Sequence, residues 1–250
     1  MGIFSDSKSS ISQIWYTTIK LYSKSFSHIW QIGIMLVIAT TISTFINTAY
    51  KIGGINFKII DFILALTMPL IIIYLTSLIL FKIYNIGRGR YPSLKDALTY
   101  VNKRYLKVVI AMLIVFFLSN IFEIIALLTL RWLLIPLTII QIFIIILLTA
   151  VQPLILCDNL EIITSLKTSI KLVWGNWWHT FAIVFPLIMI NYWLIFIINF
   201  AIIKNSWYLL GIAGCLAILF CPLFYGCILV VVNDLKLRKT SSSRIVTATS

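Results

Sequence analysis

The stretch LLIPLTIIQIFIIILLTAVQPLIL, Leu133 to Leu156, holds no charged side chain and no strand-like alternation. About 20 apolar residues in a helix, rising about 1.5 Å each, cross the roughly 30 Å of a bilayer's hydrocarbon. In lipid every backbone N–H and C=O must be satisfied internally, which a helix does by itself. Barrel strands, about 9 to 11 residues of alternating character, do not fit this run. On either side the same pattern recurs at Ile29 to Tyr50, Ile59 to Phe81, Val108 to Leu130, Thr180 to Ile203 and Trp207 to Val232. The sequence therefore predicts an all-α fold, a polytopic membrane helix bundle with six transmembrane helices.

Composition agrees: 61% of the 250 residues are hydrophobic, 11% are charged and the mean hydropathy is +1.06, against about 25% charged in a soluble domain. Residues 1–239 read as a single integral membrane domain and 240–250, rich in Ser and Thr, as a disordered cytoplasmic tail. Met1 to Ser27 is polar and amphipathic and shows no early cleavage site, so the N-terminus is expected to be retained. Cys157, Cys215, Cys221 and Cys227 sit in or at spans without metal or disulfide spacing and read as small apolar packing groups. No cofactor or metal is implied.

The formal charge of +13 is unevenly placed. Lys8, Lys20 and Lys24 precede the first span, seven cations from Lys82 to Lys107 lie between the second and third, Lys167 and Lys171 between the fourth and fifth, and Lys236, Arg238, Lys239 and Arg244 after the sixth. Only Lys51, Lys58, Arg131 and Lys204 fall on the other side. The positive-inside rule then puts both termini in the cytoplasm. Trp15, Trp30, Trp174, Trp177 and Trp178 fall at the inner headgroup level and Trp132 and Trp207 at the outer, as aromatic belts do. The basic balance reads as topology and attraction to anionic headgroups, about 1 kcal/mol per cation. No basic domain stands apart from the membrane, which argues against nucleic acid binding.

A unit of an amphipathic segment followed by a helical hairpin occurs three times, at about 8–81, 92–156 and 160–232. Ser93-Leu94-Lys95 matches Ser165-Leu166-Lys167, and Thr17, Ile19-Lys20-Leu21 and His28 match Thr168, Ile170-Lys171-Leu172 and His179. Each segment opens with a capping arrangement: Ser10/Gln13, Ser93/Asp96 and Asp158/Glu161. Apolar residues recur at helical spacing on one face of each, among them Ile11, Ile14 and Ile19 in the first unit, Ala97, Leu98 and Val101 in the second, and Ile170, Val173 and Trp174 in the third, with Lys and Thr on the opposite faces. Such segments lie on the bilayer or pack as a cytoplasmic collar. A parallel repeat of this kind implies a pseudo-threefold axis along the membrane normal.

Pro153-Leu154-Ile155-Leu156, Asp158-Asn159 and the run Ser165 to Trp177 resemble the YciC-like family of bacterial inner-membrane proteins. Gly89-Arg90-Tyr91-Pro92-Ser93-Leu94 resembles that family's shorter motif before its third span. More distantly, the third unit is similar to the membrane domain fused to some glycerophosphodiester phosphodiesterases, whose catalytic barrel the resemblance does not cover. It implies a six-helix protein of the bacterial inner (cytoplasmic) membrane and brings no reaction or catalytic residue with it. The first outer loop, Lys51 to Lys58, is shorter than relatives can have.

Few side chains point to chemistry. Glu123 is the one acid deep in a long apolar run, where a carboxylate is a candidate relay. Fifteen residues beyond Val108 it comes near the outer interface, within reach of Arg131, and pairing with Arg131 is the structural reading of this intramembrane polar site. His28 and His179 hold matching positions and, with no carboxylate cluster beside them, are expected to hydrogen-bond at the interface. Asp61, near Lys58, reads as an outer-face cap. Gly87-Arg88-Gly89-Arg90 offers two guanidiniums on flexible glycines that can wrap a lipid phosphate. With Arg88, Arg90, Lys95, Lys167 and Lys171 it makes the candidate anionic-lipid contact. Pro69, Pro136, Pro153, Pro186 and Pro222 fall in spans, and Pro153 and Pro186 are expected to shape the hairpin around the third amphipathic segment. Asn120, Gln141, Gln152, Asn191 and Asn199 are expected to bond between helices at about 0.6 kcal/mol each.

With so few buried ionisable groups, and no His-rich, paired-Asp or Ser-His constellation, an enzyme is not expected. The sequence favours a role in envelope or lipid homeostasis or as a membrane scaffold, touching anionic lipid headgroups and a membrane-protein partner or further copies of itself. The alternative is a transporter or channel for a hydrophobic or lipid-like substrate.

Overall fold

In the computed structural model, backbone is described for residues 3–4, 7–53, 59–128, 134–204 and 206–248, and side chains for 3–4, 7–46, 63–64, 67–121, 136–204 and 206–240. Among the described residues there are eight helices and no strand: α1 Ile11–Gly53, α2 Ile59–Gly87, α3 Leu94–Leu128, α4 Leu134–Leu148, α5 Val151–Asp158, α6 Ile162–Trp174, α7 Trp177–Ile203 and α8 Trp207–Ala248. Six stretches are long and apolar enough to cross a bilayer: Ile11–Ile46, Thr67–Gly87, Leu94–Ile121, Pro136–Asp158, Trp177–Ile203 and Trp207–Thr240. The protein is an all-α, multi-pass helix bundle of the kind the hydropathy predicts.

α1 runs along α2 and α8, α7 packs on α8 and α1, and α3 packs against α4, α2 and α5. The core joins Ile14, Leu21 and Ile29 of α1 to Ile79 and Ile83 of α2, Val151 and Ile155 of α5, Ile183 of α7 and Val232 of α8. Ser9 and Asp234, from opposite ends of the chain, meet at one end of the bundle. Toward the other end Phe116, Phe117, Ile139 and Phe196 stand exposed, the side-chain chemistry expected of helices solvated by lipid.

The amphipathic segments differ from the expectation in two ways. In the first two units they are continuous with the spans that follow: α1 has 43 residues and α3 has 35. At about 1.5 Å per residue α1 reaches about 65 Å, roughly twice the hydrocarbon thickness. Only in the third unit is the segment a separate helix, α6, and it packs on α5 and α4. The buried side of these segments also does not coincide with the apolar face, although Ile14, Ala97, Val101 and Val173 of that face are buried. Ile11, Ile19, Ile170 and Trp174 are exposed, whereas Thr18, Ser25, Ser165 and Ser169 are fully buried. The Ser25 and Ser165 hydroxyls spend their polarity locally, Ser25 Oγ donating to Tyr22 O at 3.3 Å and Ser165 Oγ to Ile162 O at 2.7 Å. A small hydroxyl satisfied by its own helix lets two helices approach closely. Thr18, Ala97 and Ser169, which stand at one register of the three units, are all completely buried.

The prolines act unequally. Pro69, Pro186 and Pro222 lie inside unbroken helices. Pro153 stands four residues after Thr149, where α4 ends and α5 begins. Its ring clashes with the carbonyl four residues back and it lacks the N–H that would bond it. The break frees carbonyls, and Ser169 of α6 donates to Leu147 O at 2.6 Å. α8 continues as helix to Ala248, so the backbone of 240–248 is helical where disorder is expected from composition. Once a helix is nucleated, extending it by a residue costs little.

Candidate functional site

Two of the three predicted caps form. Gln13 N–H donates to Ser10 Oγ at 3.3 Å while Ser10 N–H donates to Gln13 Oε1 at 2.8 Å. Ser93 and Asp96 repeat the exchange at 3.1 and 3.2 Å. The third does not form, because α6 starts after Glu161 with no side-chain cap. Asp158 instead ends α5 and pairs with Lys236 of α8. Asn159 takes a left-handed conformation, φ 57°, to turn the chain. Its Oδ1 accepts from Arg104 Nε at 2.9 Å, and Lys107 pairs with Glu161 at 2.6 Å. These bonds fasten the α5–α6 turn to α3 and α8.

The centre of this end is Asp234, which is 3% exposed. Ser9 N–H donates to its Oδ1 at 2.7 Å, Arg238 Nε donates to Oδ2 at 2.6 Å, and His179 Nε2 lies 3.2 Å from Oδ2. Arg238 Nη2 also donates to Ser9 O at 2.6 Å, so both backbone groups of Ser9 are held. A buried carboxylate is tolerable when paired and fully hydrogen-bonded. His179 thus has a carboxylate partner, contrary to the sequence expectation, and the reason is tertiary: α7 and α8 pack together and bring position 179 to position 234. His28 stays exposed against Tyr91, ring centroids 5.3 Å apart, and its carbonyl accepts from buried Lys82 Nζ at 2.9 Å.

The arginine loop is better ordered than its glycines suggest. Arg90 N–H donates to Asn85 O at 2.9 Å and Gly89 N–H to Ile86 O at 2.9 Å, and Gly89 has φ 78°. That is a Schellman C-cap on α2, with Gly89 at the left-handed position. Gly87 is covered by Phe4, with a Cβ there meeting the ring at 2.5 Å, and Ile3 N–H donates to Gly87 O at 2.6 Å. Both glycines therefore serve the backbone. Arg88 and Arg90 are exposed, with Arg88 stacked 4.5 Å from the centroid of Tyr84.

Lys95, Lys167 and Lys171 are exposed at the same end. Lys171 lines a cavity of about 360 Å³ with Lys8, Arg238 and Lys239, beside Leu172, Gly175 and Asn176. Trp174 and Trp178, on either side of the α6–α7 break, are 65% and 77% exposed. Trp177 turns inward onto Phe143, centroids 4.3 Å apart. The pair Glu123 and Arg131 lies outside the described side chains, as do Asp61 and Lys58.

Within the bundle Gln152 Nε2 donates to Thr76 and Ser77 at 3.0 and 3.1 Å, and Gln141 Nε2 to Asn120 Oδ1 at 3.2 Å, as expected of amides between helices. A second cavity of about 280 Å³ lies between α1, α2, α7 and α8, walled by Leu36, Ile198 and Phe220 with Thr40, Ser43 and Asn191.

Sequence reasoning missed Asp234, Ser9 and Arg238. The available signal was a lone acid between the apolar run ending at Val232 and a basic stretch, with Arg238 one helical turn on. The fold defines the class, a multi-pass helical membrane protein. No family model, curated protein or solved structure matches the chain.

Proposed function

We infer that the chain is a non-enzymatic protein of the bacterial inner membrane, oriented with both termini in the cytoplasm, whose basic end holds anionic lipid headgroups in envelope or lipid homeostasis or as a scaffold. The observation that carries this reading is the pairing of exposed lysines, without an ion pair among the described residues, with exposed indoles: Lys167 and Lys171 beside Trp174 and Trp178. Lysine attracts the headgroup's charge and tryptophan favours its depth. The resemblance to YciC-like proteins supports the same setting. The test is extraction into native nanodiscs with the co-purified lipids identified by mass spectrometry, beside an unrelated six-span protein. Enrichment of anionic lipid that falls on neutralising Arg88, Arg90, Lys95, Lys167 and Lys171 supports the reading; a bulk-like profile in the unaltered protein refutes it.

The second reading, carriage of a hydrophobic or lipid-like substrate, is favoured by the cavity among α1, α2, α7 and α8. At about 280 Å³ it approaches the lower limit of ligand pockets, about 300 Å³, and its few hydroxyls and one amide suit a substrate with little charge. Transfer of a fluorescent lipid across reconstituted vesicles, above protein-free vesicles, tests it.

A further inference from the structure

We propose that the cavity at the α6–α7 break is a specific binding site for a phosphate group, borne either by a lipid headgroup or by a soluble phosphate ester. The assignment deepens the reading of this end as the one that meets anionic lipid, and rests on it. Four cations from three separate parts of the chain line the cavity: Lys8 from the N-terminal segment, Lys171 from α6, and Arg238 and Lys239 from α8. Among the described residues no carboxylate lines it. Asp234, the carboxylate that holds Arg238, is engaged by Ser9, His179 and Arg238. Lys8, Lys171 and Lys239 have no ion pair or side-chain hydrogen bond among the described residues. Like charges gathered around a concavity without a counter-charge raise the local concentration of anions.

Arg238 gives the site its rigidity. Its Nε is fixed on Asp234 and its Nη2 on Ser9 O, which leaves others of its five N–H donors for a ligand. A guanidinium already held in place loses little freedom on binding, and its planar fork suits phosphate oxygens. The bond to Ser9 also holds Lys8, the next residue, at the rim.

The break itself makes the concavity. Gly175 and Asn176 separate α6 from α7, while the same register holds Lys24 and Ser25 in unbroken α1, and Lys103 and Arg104 in unbroken α3. Gly175 leaves the wall bare, since a Cβ there would meet nothing nearer than Lys171 O at 3.7 Å. The volume, about 360 Å³, falls in the range of small-molecule sites, about 300 to 1,000 Å³. Trp174 and Trp178, exposed one residue before Gly175 and two after Asn176, are side chains that favour headgroup level.

The experiment uses the full chain and the triple variant Lys8→Gln/Lys171→Gln/Lys239→Gln. The control, Lys20→Gln/Lys24→Gln/Lys103→Gln, removes the same charge from exposed lysines that do not line the cavity. In one arm, protein in nanodiscs of phosphatidylcholine is titrated with inorganic phosphate and with glycerol 3-phosphate, read by tryptophan fluorescence and calorimetry. In the other, nanodiscs containing a tenth phosphatidylglycerol or phosphatidic acid are read by native mass spectrometry for retained lipid. A response in either arm that weakens at least tenfold in the cavity triple and less than threefold in the control supports the site, and the responding arm names the source. Equal weakening in both triples overturns it while leaving general headgroup attraction intact. No response by the unaltered protein in either arm overturns the site, and absence of anionic lipid from the native extract would overturn the broader reading with it. Unchanged thermal unfolding of both triples shows that the fold is preserved.

Discussion

The first and third units start from matching sequence and end in different shapes. Ile19-Lys20-Leu21 in one is Ile170-Lys171-Leu172 in the other, and Leu21 and Leu172 are both buried. Yet α1 passes through Lys24-Ser25 without interruption, whereas Gly175-Asn176 separates α6 from α7. Glycine is about 1 kcal/mol poorer than alanine inside a helix, and asparagine prefers a cap to an interior. Two residues thus convert one long rod into a corner, and the corner carries the basic cavity. Repetition supplies the scaffold, and departure from repetition supplies the candidate site.

The contact that binds the two units together offers the most forceful way to break the comparison. Asp234→Ala leaves Arg238 and His179 without their carboxylate and Ser9 N–H without its acceptor. Loss of one partner of a buried pair costs about 3 to 5 kcal/mol, so we expect a large drop in unfolding temperature in detergent and release of the N-terminal segment to proteolysis. Ser169→Ala removes the bond to Leu147 O at the α4–α5 break and should cost about 1 to 3 kcal/mol for an unsatisfied buried acceptor, measured by denaturant unfolding in mixed micelles. The second unit already has Ala97 at that register, so Ala97→Ser gains no comparable stability. Gly89→Ala forces a Cβ into φ 78° and should destabilise by about 1 to 2 kcal/mol. Gly175→Ala should do the opposite. Gly175 has φ −68° and ψ −11° and an open Cβ position, so alanine fits and is expected to stabilise by about 0.4 to 1 kcal/mol. A destabilising result in the same assay would show that the corner needs glycine for more than propensity. Lys107→Ala, removing a pair whose side chains are 42% and 70% exposed, should change stability by less than about 1 kcal/mol.

Hydropathy made the spans legible because lipid imposes a single requirement over some 20 residues, and no tertiary contact overrides it. The faces of the amphipathic segments were less legible. Periodicity groups Ile19 and Trp174 on an apolar face and Thr18 on the opposite one, yet Ile19 and Trp174 are exposed and Thr18 and Ser169 buried. At a headgroup boundary large apolar groups have a comfortable place outside, and small hydroxyls pack well inside. The two reciprocal caps were readable because they are local, three residues apart. Asp158 looked like a third, and its carboxylate went to Lys236, 78 residues away. Asp234 was illegible for the same reason: its partners come from position 9, position 179 and its own next turn. The arginine loop misled in the other direction, since glycine marks flexibility in a sequence but a fixed left-handed cap in a folded helix end.

The Ser9–Asp234 bond joins residues 225 apart in sequence. During synthesis Asp234 leaves the ribosome only after the five earlier spans have been delivered to the membrane. Until then the N-terminal segment has no carboxylate to hold its backbone, Lys8 has no fixed position, and Phe4 covers Gly87 without a second anchor. The bond between residues 9 and 234 can form only once the last helix has emerged, so a chain stalled before that helix would leave its N-terminal segment unfastened and open to proteolysis.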